Sequence, residues 1–281
     1  MTGEGARSAG RPDEQPARTS LASGKLLLDE PAEGVARLSI NNLGKRNALD
    51  LEILDEIART LPGLDARCVV LTGSERVFSA GYDIGDIPSD EFAVRAESLV
   101  AHPFAEAIEA LEAYPYATVA ALNGHAIGGG LEVALACDLR VAARGANLGM
   151  PPAKLGLIYS HTGLRKFIDA IGAPRTRELF LVGRSIDAET ALLWGLVNSV
   201  HPDDGLERAS LDLAEELAAN APLSISGNKR IIRELLAVEG RLDPEVEREL
   251  VELRRSCFLS EDFQEGVRAF AEKRRAEWKG R

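Results

Sequence analysis

Between Lys25 and Ile40 the chain reads KLLLDEPAEGVARLSI, two short apolar runs on either side of a turn bearing Pro and Gly, a pattern that predicts an opening β-hairpin. After a loop at Asn41 to Asn47, the stretch 49–61 carries apolar residues at Leu51, Ile53, Leu54, Ile57 and Leu61, a helical spacing with Asp50 placed to cap it. Cys68 to Leu71 (CVVL) then reads as a buried strand. A helix over Phe92 to Tyr114, a strand over Thr118 to Leu122, a Gly-rich turn, a helix over Gly129 to Cys137 and a strand over Leu139 to Ala142 follow, which is repeated βαβ winding and predicts an α/β fold. From about Pro174 the strand patterns thin out. Helices are expected over Pro244 to Phe258 and Phe263 to Trp278, so the chain divides into a tail (1–22), a core (23–217) and a C-terminal helical unit (218–281).

Composition changes this picture little. The 281 residues are 45% hydrophobic and 27% charged, ordinary values for a globular chain with room for a sizeable core. The net charge of -11 argues against a nucleic-acid partner, since there is no local basic patch to offset it. Cys68, Cys137 and Cys257 are odd in number, widely spaced and without metal-ligand spacing, so they read as reduced thiols of a cytoplasmic protein with no metal site. The first twenty or so residues lack an apolar stretch and read as a disordered tail, neither signal peptide nor membrane anchor.

The densest chemical signal is NGHAIGGGLEVALACD, Asn123 to Asp138. Gly128, Gly129 and Gly130 let backbone approach a ligand closely, and the unpaired NH groups of the helix that follows are suited to a developing oxyanion. A tight strand-to-helix turn would use the same glycines. Glu132 is surrounded by Leu131, Val133, Ala134, Leu135, Ala136 and Cys137, so the helix around it should be buried and its carboxyl should have a raised pKa suited to proton transfer. The alternative is a structural pair with Arg140. A second signal, VFSAGYDI (Val77 to Ile84), leaves the carboxyl end of a strand, where ligands commonly bind. Ala80 and Gly81 permit close approach there, and the NH of Tyr82 could face that of Gly129 across one carbonyl oxygen. His125 reads as a packed core residue. Ser160 and His161, adjacent in sequence, point to opposite faces of an extended segment and cannot form a hydrolase pair.

Together VFSAGYDI, NGHAIGGGLEVALACD, the lead-in LTGSERVFSAG and the tail SEDFQEGVRAFAEKR resemble the crotonase (enoyl-CoA hydratase/isomerase) superfamily, over roughly residues 23 to 279. The resemblance implies a ClpP-like spiral of ββα units and a C-terminal helical domain supporting a homotrimer or a dimer of trimers. It implies acyl-CoA substrates, with coenzyme A as part of the substrate and no separate cofactor. It also implies an oxyanion hole from the backbone NH groups of Tyr82 and Gly129, with Ala80, Asp83, Ile84 and Gly128 lining the substrate. The loop GKRNALD matches the family's CoA-nucleotide segment, so Lys45 and Arg46 should face phosphates and Ala48 the adenine; the plainer reading is a solvated loop.

Two departures bear on the reaction. Hydratases of this family use two glutamates around a water, and only Glu132 is present; Pro152 stands where the second would be. Tyr159, in LGLIYS, is similar to the tyrosine of LGVPY in bacterial methylmalonyl-CoA decarboxylases, although their His at the first oxyanion donor is Tyr82 here. The favoured expectation is decarboxylation of a short malonyl-type CoA, with Tyr159 orienting the carboxylate or a protonating water. Hydration or isomerisation by a single glutamate is the alternative, and a non-catalytic RNA-binding homologue a remote third.

Overall fold

The computed structural model describes residues 17–83 and 102–281. Ile84 and the first part of the helix expected over 92–114 lie outside the described residues, as do residues 1–16 of the expected tail. The rest of that tail is not all irregular, because β1 (Thr19–Leu21) pairs antiparallel with β2 (Leu26–Ala32). The expected hairpin is β2 with β3 (Val35–Ile40). Asp50 caps α1 (Leu51–Thr60) by accepting from the Ile53 NH at 2.9 Å.

From this point each turn of the chain contributes one strand to each of two sheets. β4 (Cys68–Gly73) enters the large sheet and β5 (Val77–Ser79) the small one, followed by α2 (Pro103–Ala113). β6 (Ala117–Leu122) and β7 (His125–Ile127) repeat the step and lead into α3 (Gly129–Ala136). β8 (Leu139–Ala143) and β9 (Asn147–Gly149) repeat it again and lead into α4 (His161–Arg177). The small sheet is completed by β10 (Ser185–Asp187), antiparallel to β9. After α5 (Ala188–Trp194), β11 (Ser199–His201) closes the large sheet beside β8. The large sheet therefore runs β1-β2-β3-β4-β6-β8-β11, parallel from β3 onward. This is the α/β spiral of ββα units.

Alternation along the central strands, with both faces covered, explains why they are mostly apolar. In β4, Val69 and Leu71 join the main core with α1, α2 and α3, while Cys68 and Val70 face the opposite side. In β6, Ala120 and Leu122 take the first side and Ala117, Val119 and Ala121 the second, which is covered by α6 (Leu206–Ala219). Seven of the eight residues of α3 are buried, so this helix lies at the centre of the molecule.

Three further helices follow: α7 (Pro222–Glu239), α8 (Pro244–Phe258) and α9 (Glu261–Ala271). α7 is pinned to the core by Lys229, which reaches the carbonyls of Leu111 and Tyr116 and the carboxylate of Asp138. The last helix stops short of the expected Trp278. Lys273 adopts φ 53, the chain reverses, and the NH groups of Lys279 and Gly280 donate to Asp262 at the start of α9. No helix among the described residues is long and apolar enough to cross a membrane.

The contact between α3 and β5 leaves no room at Gly130, where an added Cβ would lie 2.6 Å from Ser79 Cβ and 2.8 Å from its carbonyl oxygen. Gly130→Ala is expected to lower unfolding stability by about 1–3 kcal/mol through overpacking, measured by chemical denaturation. Unchanged stability would mean that the helix does not seat on β5 in this way.

Candidate active site

Two backbone segments meet at the start of α3. Gly128 adopts φ 56, ψ -125, a conformation reserved in practice for glycine, and turns β7 into the helix. Opposite it, Gly81 at φ 96 comes so close that an added Cβ would stand 2.7 Å from the Ile127 carbonyl oxygen and 3.4 Å from the Gly129 nitrogen. Ser79 supports this bend by accepting from the Gly81 NH at 3.2 Å. Leu49 bridges to Tyr82 by accepting from the Asp83 NH and donating to the Gly81 carbonyl, which turns the NH of Tyr82 to the side away from Leu49. Gly129 is the first residue of its helix, so its NH has no carbonyl within the helix to bond. Both expected oxyanion donors thus come from adjoining segments with their NH groups unused by the backbone ladder.

Glu132 lies one turn into α3 and is 3% exposed. Its carboxylate accepts from the Tyr159 hydroxyl at 2.5 Å, and Arg140 takes no part: its guanidinium donates instead to the carbonyls of Leu196 and Cys137. Burial pushes the Glu132 carboxyl up from an ordinary 4.5 to about 7, against the opposing effects of the Tyr159 hydrogen bond and the Lys166 charge. Lys166 is itself paired with Glu112, which limits how far it can stabilise a second anion.

Tyr159 is held by an edge-to-face contact with Phe180 at 5.4 Å. Burial, and after it the charge on Glu132, raises its phenol well above the ordinary range, so it stays a proton-bearing donor. The Tyr82 ring covers Gly129, its Cζ 3.0 Å from where a Cβ would be, and packs edge-to-face on Phe104 at 4.8 Å. The phenols of Tyr82 and Tyr159 interact with each other, and the Tyr82 phenol is likewise pushed up by burial first. Tyr82 therefore contributes a side chain to the site as well as a backbone NH, which the sequence reading did not anticipate.

Gly163 was also missed. A Cβ there would stand 2.8 Å from Glu132 Oε1 and 2.7 Å from Tyr159 Cε1, so only glycine lets the carboxyl and the ring meet. Ser160, just before it, caps α4 by accepting from the Gly163 NH at 3.0 Å. Pro152 is buried at the start of a short 3-10 turn and offers no titratable group.

Lys45 Nζ pairs with Asp83 at 2.6 Å, so two of the expected contact residues engage each other. Arg46 is exposed and at φ 55, Ala48 is buried, and the Arg46 carbonyl accepts from the Ala80 NH at 3.1 Å. Asn47, buried and given no role by the sequence pattern, ties the GKRNALD loop to the Tyr82 segment through its side-chain amide, which donates to the carbonyls of Ser74 and Val77. His125 accepts from the Asn147 NH, a structural bond between neighbouring strands. Among the described residues no group of three or more His, Cys, Asp or Glu side chains could hold a metal ion.

The raised Glu132 pKa has a thermodynamic consequence. A carboxyl whose folded value exceeds its unfolded value opposes folding once it must ionise, so the wild-type protein loses stability as pH rises from 4.5 towards about 7. Glu132→Gln is expected to match the wild type near pH 4 and to exceed it above neutrality by a margin on the order of 3 kcal/mol, read from denaturation curves across pH. A pH-independent difference would contradict the raised value.

Residues 30–281 match the enoyl-CoA hydratase/isomerase family. The chain is 31% identical to a 2,3-dehydroadipyl-CoA hydratase of Escherichia coli (strain K12), covering 88% of this chain and 96% of that protein. It is 34% identical to a probable enoyl-CoA hydratase of Bacillus subtilis (strain 168), covering 88% and 95%. The solved structure of a methylmalonyl-CoA decarboxylase complexed with 2S-carboxypropyl CoA superposes with a TM-score of 0.84 at 28% identity, over 92% of this chain and 98% of that one. By sequence and fold, the chain belongs to the crotonase family of enoyl-CoA hydratases and isomerases.

Proposed function

We propose that the protein decarboxylates a short malonyl-type CoA thioester. The observation that carries this reading is the Glu132–Tyr159 pair: a carboxyl with a pKa of about 7, hydrogen-bonded to a phenol, with Pro152 where a second acid or base would be needed for hydration. The thioester oxygen sits between the NH groups of Tyr82 and Gly129. The bond between the substrate Cα and its carboxylate breaks, CO2 leaves, and the electron pair passes into an enolate whose oxygen those two donors stabilise. Protonated Glu132, with Tyr159, then delivers a proton to Cα, giving the neutral acyl-CoA, and solvent restores the proton. No base is required to start the reaction, and no cofactor beyond the CoA of the substrate.

The same geometry supports a second reading, favoured by the hydratase names of the relatives: ionised Glu132 as the sole base activating a water on an enoyl-CoA. In either case a trimer, or a dimer of trimers, accords with the exposed apolar residues Leu223, Ile231, Ile232 and Leu235 along α7.

Incubation with methylmalonyl-CoA, malonyl-CoA, ethylmalonyl-CoA and crotonyl-CoA, followed by mass spectrometry, separates the two. Loss of CO2 from a malonyl-type thioester is expected, slowed roughly 10²–10⁴-fold in Glu132→Gln and reduced in Tyr159→Phe. Addition of water to crotonyl-CoA alone would establish the hydratase instead. The pH profile provides an independent check, since kcat/KM falls above about 7 if Glu132 acts protonated and rises through the same value if it acts as a base.

A further inference from the structure

The inward stripe of α8 is Leu250, Val251, Arg254, Cys257 and Phe258, a helical spacing in which each member except Arg254 is apolar or a thiol. Two contacts fix which way that stripe points. Near the start of the helix Glu247 pairs with His161 at 3.5 Å, and near its end Cys257 Sγ meets the Gly156 carbonyl oxygen at 2.9 Å. Residues 247, 254 and 257 share one side of a helix, so Arg254 lies between the two contacts and faces the segment 156–161 that carries Tyr159. Its Nε is buried with no hydrogen-bond partner among the described residues. A guanidinium nitrogen left in that condition is costly, and an arriving anion would remove the cost.

Arg254 is not already the partner of Glu132. Its charge acts on both Glu132 and Tyr82, yet ranks last among the influences on each, and Glu132 keeps its raised pKa. The guanidinium is thus near enough to sense the site and has no bond to its carboxyl. An ionised Glu132 would repel a substrate anion held by Arg254, so such an anion is favoured while Glu132 is protonated, which is the state the proposed decarboxylation uses.

We propose that Arg254 recognises a carboxylate on the acyl part of the substrate and selects acidic acyl-CoA thioesters over neutral ones. The proposal rests on the decarboxylase reading for where that carboxylate lies. It assigns Arg254 to ground-state recognition, so substitution should raise KM for carboxylated thioesters far more than it lowers kcat. Loss of CO2 removes the group that Arg254 holds, leaving a product with one contact fewer and easing its release.

The test is binding of two unreactive CoA thioethers, 2-carboxypropyl-CoA and its neutral analogue isobutyl-CoA, to the wild type, Arg254→Met and Arg254→Lys by titration calorimetry. Arg254→Met is expected to weaken the carboxylated ligand roughly 10- to 100-fold while leaving the neutral one unchanged, with Arg254→Lys restoring part of the loss. Equal weakening of both ligands, or of neither, overturns the proposal. Because binding is read without turnover, the two readings fail separately. A wild type that releases no CO2 yet loses its carboxylate preference in Arg254→Met overturns only the reaction. A wild type that decarboxylates while Arg254→Met binds both ligands normally overturns only the role of Arg254.

Discussion

Keeping one ionisable carboxyl inside an otherwise apolar helix is the constraint around which this molecule is arranged. Glu132 is 3% exposed, in a helix with seven of its eight residues buried, and the Tyr159 hydroxyl at 2.5 Å is its hydrogen-bond donor. That bond joins the centre of the spiral to the segment entering α4. The nearby glycines answer the same demand: Gly130 lets α3 settle on Ser79, Gly81 and Gly128 bring the two candidate oxyanion donors together, and Gly163 leaves space for the carboxyl against the tyrosine ring.

The surrounding charges are disposed so that Glu132 remains near the point of ionisation. Lys166, the strongest cationic influence, is engaged by Glu112, and Arg140 is occupied with the carbonyls of Leu196 and Cys137. Other buried or half-buried charges of the framework are paired, as in Arg37 with Asp29 and Glu207, or Lys229 with Asp138. Those pairs act in packing: the first joins the opening hairpin to α6, the second holds α7 on the core. The contrast between charges neutralised by a partner and a carboxyl neutralised by its own raised pKa separates framework from chemistry.

Local pattern made much of this legible. The opening hairpin, the cap at Asp50, the strands around Val70 and Ala120 and the bounds of α8 follow from spacing that the chain obeys over a few residues. The burial of Glu132 was equally readable, because six apolar neighbours leave a helix no polar side. Its partner was less so: Arg140 is close in sequence, but its direction is set by the distant Leu196 carbonyl, and Tyr159 arrives from 27 residues away. Gly163, Asn47 and the side chain of Tyr82 escaped notice for the same reason, since what each must clear or hold belongs to another part of the chain. The early end of α9 also depends on a tertiary contact, the return of residues 279 and 280 onto Asp262.

The central claim is that Glu132 is an acid raised to near neutrality by burial, with its bond to Tyr159 limiting the rise, and direct titration of its carboxyl by ¹³C NMR, in the wild type and in Tyr159→Phe, tests it most closely. The wild-type carboxyl should titrate at about 7, and higher once the phenol that stabilises its ionised form is gone. A midpoint at the ordinary 4.5, or one that does not move in Tyr159→Phe, would contradict it.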